Sequence, residues 1–236
     1  MNVRTAALLA TALPLLAACG AAPRDDALFP LAEGRQWTYR VSTTIDETEP
    51  AQRERLQLTN RGPETLEGTP AWRRRSDSGI EYWLRGDASG IYRVATRNPL
   101  DRVPQIDGTP RYVLKKPYAV GTEWEATTVP YVLSRKNESP HALRYVNPPL
   151  PMRYRIEALG EKVQTPAAAF EGCMRVAGRA SIWLYDDALR QFRESPVTTT
   201  EWYCPDVGLV RVERREPSPT RLVAGGSVTL ELESWH

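Results

Sequence analysis

Short runs in which apolar and polar side chains alternate, each closed by proline or glycine, constrain this chain more than any other feature. Alternation with a period of two puts one face of a strand in a core and the other in water. Trp37-Thr38-Tyr39-Arg40-Val41-Ser42 sets Trp37, Tyr39 and Val41 on one side. The same pattern runs through Arg55 to Thr59, Arg111 to Lys115, Arg153 to Glu157, Leu209 to Arg214 and Ser227 to Glu233. Tyr82 to Leu84 and Ile91 to Val94 read as two strands around a turn from Gly86 to Gly90. Twenty prolines and fifteen glycines punctuate the chain, and only Thr165 to Phe170 and Asp186 to Phe192 look briefly helical. The expectation is a mainly β protein of antiparallel sheets.

The first eighteen residues read as a secretory leader. Arg4 supplies the positive charge, and Ala6 to Leu16 is an apolar run too short to span a bilayer as a permanent helix. The run closes on Leu16-Ala17-Ala18-Cys19, which resembles the lipobox of bacterial lipoproteins. That resemblance implies that Cys19 carries acyl chains such as palmitate and becomes the first mature residue. Gly20 in place of aspartate then implies outer-membrane sorting, with the body facing the periplasm. Residues 19–27 form the lipidated cysteine and a polar tether, and 28–236 a single β domain. Removing the leader leaves roughly 210 residues, enough for one large β domain or two small ones.

Lysine plus arginine number 31 against 29 aspartate plus glutamate, and Arg4 leaves with the leader. A nearly neutral body has no net field to steer nucleic acid. With Cys19 lipidated, two cysteines remain in an oxidising compartment, an even count that pairs Cys173 with Cys204. Two separately buried thiols are the alternative.

Two motifs recur in order. Pro30-Leu31-Ala32-Glu33-Gly34-Arg35-Gln36-Trp37 and Pro117-Tyr118-Ala119-Val120-Gly121-Thr122-Glu123-Trp124 are both P-x-x-x-G-x-x-W. Trp83 to Val94 parallels Trp202 to Val212, with one residue deleted in the Asp-to-Gly turn that ends at Gly90 and Gly208. Proline stops one strand, glycine permits the turn, and tryptophan plants the next strand in the core. The pattern predicts two related tandem β units, about 28–116 and 117–236. Trp37 should match Trp124, and Trp83 should match Trp202, all four largely buried. Functional contacts are expected on what the second unit adds, chiefly the proline-rich stretch Ser134 to Pro151.

Phe29-Pro30-Leu31, Gly34, Trp37 and Tyr39 spell F-P-L-x-x-G-x-x-W-x-Y, and Val207-Gly208-Leu209-Val210 spells V-G-L-V. Together they resemble a group of bacterial outer-membrane lipoproteins carrying these segments near the anchor and near the C-terminus. Cys204 departs from the group's pattern, where a small residue is expected. The resemblance implies a β-rich envelope fold and no catalytic residues. A looser likeness to the half-open barrels of lipoprotein carriers and receptors is one of fold alone. The expected architecture is therefore a half-open barrel or sandwich built from the two units.

Chemistry is sparse. His141 and His236 are the two histidines, so a zinc site or a Ser-His-Asp triad would have to use one of them. HExxH, P-loop, G-x-S-x-G and G-x-G-x-x-G motifs are absent. Asp46-Glu47 and Asp186-Asp187 read as solvated turns, and Arg73-Arg74-Arg75 as a solvated edge strand. Most of the seven tryptophans read as core; an apolar cavity or an aromatic platform is the sharper alternative. No cofactor or metal is expected. A non-enzymatic envelope protein that binds another protein or supports assembly stands first. A carrier or receptor for a lipid or acyl chain stands second, and an envelope hydrolase third. An enclosed apolar cavity would lift the second above the first.

Overall fold

The structure is a computed structural model that describes residues 26–46, 50–135, 149–186, 188–220 and 223–236. The expected leader, Cys19, most of the expected tether, His141 and the middle of the proline-rich stretch lie outside the described residues.

The first half of the chain gives six strands: β1 (Gln36–Ile45), β2 (Gln52–Leu66), β3 (Thr69–Ser76), β4 (Glu81–Asp87), β5 (Gly90–Arg97) and β6 (Gln105–Lys115). The second gives β7 (Glu123–Thr128), the short β8 (Ser134–Arg135), β9 (Leu150–Gln164), β10 (Ala169–Asp186), β11 (Gln191–Cys204), β12 (Gly208–Glu216), the short β13 (Val223–Ala224) and β14 (Gly226–Trp235). Twelve of these form one antiparallel sheet in the order β6-β5-β4-β3-β2-β1-β14-β12-β11-β10-β9-β7, and β8 pairs with β13 apart from it. Each half is thus a six-stranded meander, and β1 joins β14. The edges β6 and β7 approach each other without forming a ladder, so the sheet curls into a nearly closed barrel with one unsealed seam. Arg111 Nε reaches across the seam to the Thr127 carbonyl at 2.6 Å.

The repeated motifs fall on matching strands. Trp37 and Trp124 are each the second residue of the first strand in their half, and Trp83 and Trp202 lie on the fourth. The backbone repeats as well. Gly34 N–H donates to the Asn60 carbonyl and Asn60 N–H returns to Arg35; Gly121 N–H donates to Ile156 and Ile156 N–H returns to Thr122. Both glycines hold positive φ, +83° and +96°, where an L side chain is strained. Trp37 and Trp124 are 2% and 5% exposed. Trp83 is 1% exposed on the other face of its strand, whereas Trp202, expected to be largely buried, is half-buried. Both of these indoles donate to a glutamate on the second strand of their half, Trp83 to Glu64 at 3.3 Å and Trp202 to Glu161 at 2.9 Å.

Two local expectations fail. Thr165 to Phe170 is the β9–β10 turn and the start of β10, and Asp186 to Phe192 spans the β10–β11 turn. A single helical turn is too costly to nucleate against the ladder on either side. Arg73 to Arg75 lie on β3, which is inside the sheet between β2 and β4 rather than at an edge. Alternation does part them: Arg73 pairs outside with Glu64 at 3.4 Å, while Arg74 turns toward the N-terminal segment.

That segment closes one end of the barrel, called proximal here. Phe29 and Leu31 are buried against Leu84, Ile91 and Leu114. Asn60 Nδ2 donates to the carbonyls of Pro30 and Ala32, and Arg74 donates to Asn60 Oδ1 and to Pro30. The Arg74 guanidinium lies 4.3 Å from the Phe29 ring centre and 4.5 Å from that of Trp37. The cation over two aromatic faces and the satisfied carbonyls fix the segment in place. Tyr118 OH donates to Asp26 Oδ2 at 2.9 Å and Lys116 pairs with it at 3.0 Å.

The barrel lumen as a candidate functional site

Above the proximal core the inward side chains no longer meet. Val41 on β1, Leu56 on β2, Val113 on β6, Leu209 and Val212 on β12, and Val228 and Leu230 on β14 are all inward-facing and all half-buried. They line a cavity of about 430 Å³, within the range of small-ligand sites. Elsewhere the same inward rows are filled: Met152, Ile156, Met174, Val176 and Val197 are shielded almost completely. Close packing is the normal state of an interior, so a gap with apolar walls is a feature to explain.

The far end of the lumen is polar. Glu216 and Arg214 share the inward face of β12, 0% and 3% exposed at their side chains, and Arg214 Nε donates to Glu216 Oε1 at 2.6 Å. The Glu216 carboxylate also accepts the backbone N–H groups of Tyr131, Val132 and Leu133. Arg214 donates further to Thr128 Oγ1 and to the Val129 carbonyl, and its guanidinium lies 4.0 Å from the Tyr131 ring centre. One ion pair thereby straps residues 129–133 over the distal end. The carboxylate thus has its hydrogen-bonding partners inside the protein.

Glu201 and Tyr203 on β11 contribute the middle of the wall. Tyr203 OH donates to Glu201 Oε2 at 2.6 Å. Burial pushes the Glu201 carboxyl above its ordinary pKa, against the downward pull of that bond and of Arg111 and Arg214. Burial, then the Glu201 charge, raises Tyr203 as well, and burial likewise raises Tyr154 on β9.

Arg111 stands where the lumen meets the seam. It lines the 430 Å³ cavity and also a second cavity of about 240 Å³ between the edge strands, bounded by Asp107 to Pro110, Glu125 to Thr127 and Pro151. Arg93, which lines the seam cavity, is held by both oxygens of Asp107 at 2.8 Å. Among the described residues no carboxylate lies within ion-pair distance of Arg111, whose Nε is engaged by Thr127. Neither Arg111 nor Glu201 carried any motif. Arg111 follows Pro110 in an ordinary alternating run, and only closure of the barrel distinguishes it.

Cys173 on β10 and Cys204 on β11 are joined by a disulfide, with Cα atoms 4.1 Å apart, beside Trp37, Tyr39 and Val210. Gly208 opens β12, where a Cβ would come 3.2 Å from Pro30 Cδ. Cys19, the residue expected to be lipidated, is outside the described residues, and of Ser134 to Pro151 only the two ends are described. His236 pairs its backbone with Gln36 and is remote from the lumen wall. Among the described residues no cluster of three His, Cys, Asp or Glu could hold a metal ion, and no helix is long and apolar enough to cross a membrane.

A one-sheet antiparallel barrel with an unsealed seam and an apolar lumen is the class of protein this geometry defines. No family model and no curated protein matches the sequence. Two solved structures resemble it. One is a candidate lipoprotein from Parabacteroides distasonis, 15% identical with a TM-score of 0.41, covering 90% of this chain and 99% of that one. The other is a candidate exported protein with a YmcC-like fold from Bacteroides fragilis, 16% identical with a TM-score of 0.38, covering 88% of this chain and 98% of that one.

Proposed function

We propose that this chain is an outer-membrane lipoprotein, anchored through Cys19 on the periplasmic side, that holds the apolar part of an amphipathic molecule in its barrel lumen. The observation that carries the reading is the 430 Å³ cavity walled by half-buried Val41, Leu56, Val113, Val212, Val228 and Leu230. Filling it would remove those side chains from water at about 25 cal/mol per Å² of apolar surface. The cavity supports a carrier or receptor role over a purely protein-binding one. The test is saturable binding of dodecanol, read by displacement of a neutral polarity-sensitive dye from the purified barrel. Val212→Trp, which fills the lumen from its wall, should abolish binding while the fold persists by circular dichroism. No saturable binding to the wild type would reject the reading.

A protein-binding role keeps one supporting observation. Trp183, Tyr185 and Phe192 are 62%, 42% and 64% exposed on the outer side of the β10–β11 hairpin, with Tyr185 against Phe192. Exposed aromatics in a group favour contact with another molecule. A photocrosslinker at Trp183 in the native envelope should capture a protein if the hairpin docks one.

A further inference from the structure

We propose that Arg111 receives an anionic headgroup, so that the occupant of the lumen is a negatively charged amphiphile whose tail lies inward and whose head sits at the seam.

The inference rests on the lumen reading above and adds the charge and the direction of the ligand. Three arginines line the two cavities, and two of them are neutralised within the protein. Arg93 is gripped bidentately by Asp107, and Arg214 pairs through Nε with Glu216. Arg111 is half-buried at the junction, with Nε engaged by the Thr127 carbonyl and no carboxylate in ion-pair range among the described residues. Its two terminal nitrogens therefore form a free fork at the boundary between a solvent-reaching seam and an apolar chamber. A guanidinium there faces the solvent-reaching seam, so a ligand can reach it, and the planar fork matches a carboxylate or a phosphate monoester. The surroundings are graded to suit. Tyr112 and Val113 follow Arg111 on the same edge strand into the lumen wall, and Tyr154 faces it from β9. Glu201 is the carboxylate across the lumen wall that acts on Arg111 electrostatically, and it is already hydrogen-bonded by Tyr203. A low-dielectric chamber behind a single cation attracts anions at its mouth and rewards an apolar tail beyond it.

The test compares dodecanoate, dodecyl phosphate and dodecanol, each below its micelle threshold, in the dye-displacement assay with the full barrel. Inorganic phosphate alone serves as the head without a tail. Wild type should bind both anions about tenfold or more tightly than dodecanol, as expected for one charge-assisted fork. Phosphate alone should displace nothing. Arg111→Gln should bring the anions down to the dodecanol level and leave dodecanol unchanged, and Arg111→Lys should recover part of the preference. Equal binding of anion and alcohol by wild type, or a preference that survives in Arg111→Gln, overturns the assignment while leaving the lumen reading intact. Failure of all three to bind overturns both. Displacement by inorganic phosphate alone would mark a small-anion site and also overturn it.

Discussion

The indole of Trp37 donates its N–H to the Val207 carbonyl at 2.7 Å, across 170 residues of chain. Two positions along, Tyr39 OH donates to the Leu209 carbonyl at 2.9 Å. The segment F-P-L-x-x-G-x-x-W-x-Y and the segment V-G-L-V are thus the two halves of one lock at the proximal end. Trp37→Phe should cost about 1–3 kcal/mol, because the buried Val207 carbonyl loses its donor while most of the volume is kept. Trp37→Ala should cost about 3–5 kcal/mol. Urea unfolding of the two variants separates the hydrogen bond from the packing.

Glu216 holds the distal strap. Glu216→Gln turns an amide toward Arg214 and toward three backbone donors, and should destabilise by about 3–5 kcal/mol. Amide exchange at residues 131–133 should accelerate before global unfolding. Replacing both partners, Arg214→Leu with Glu216→Leu, should not restore stability, since the three N–H groups still lack an acceptor. Recovery to the wild-type level would show that the strap is held by something other than this carboxylate.

The disulfide joins neighbouring strands and closes a loop with a sequence separation of 31. Cys173→Ala with Cys204→Ala should lose about 3–4 kcal/mol on the chain-entropy account. Thiol titration of wild type under denaturing, non-reducing conditions should find neither cysteine free.

Glu201 gives a pH dependence of unusual sign for a carboxyl. Its folded pKa lies above the unfolded value, because burial disfavours the charge. The folded state therefore keeps the proton to higher pH than the unfolded chain does. The associated stability is full below the unfolded pKa and is lost as pH rises from there through the folded pKa. Glu201→Gln cannot titrate and keeps an acceptor for Tyr203. The melting-temperature gain of Glu201→Gln over wild type should grow as pH rises from about 4, near the reference carboxyl pKa, toward neutrality. A gap that stays constant or shrinks with pH would contradict a buried carboxyl in the lumen.

Alternation exposed which face of each strand turns inward, but not how full the inward space is. Val41 and Val176 follow the same period-two rule, yet Val176 is shielded completely and Val41 borders the cavity. That difference depends on residues from seven strands meeting across the lumen, which no local pattern encodes. The repeated turns were legible because turns impose fixed residues: Gly34 and Gly121 repeat both the left-handed backbone and the hydrogen bonds around it. The Arg73 to Arg75 run was misleading for the opposite reason. Charge on an inner strand is tolerated here because Arg74 finds carbonyls and aromatic faces and Arg73 finds glutamates. The placement of functional contacts on Ser134 to Pro151 assumed that the common frame is wholly packed, whereas the lumen gap lies inside that frame.

Cys19→Ser should release the body into the periplasm or leave uncleaved precursor, seen by membrane fractionation. Wild-type maturation and membrane retention of the variant would reject the anchor.

Joining β1 to β14 places residues from opposite ends of the chain side by side, and Gln36 and His236 bond through their backbones. Of the pairings in the twelve-stranded sheet this is the single one between strands remote in sequence; each other pairing joins successive strands of a meander. Within the sheet, long-range pairing is therefore concentrated in this one ladder. The other sheet pairings are local hairpins, and the longest loop closure within the sheet falls on the β1–β14 ladder. With Gln36 and His236 already bonded and the open edge between β6 and β7, the barrel is suited to circular permutation between β6 and β7. Linking His236 to the start of the N-terminal segment would turn the slow long-range closure into a local hairpin, and the permutant should fold faster at little cost in stability.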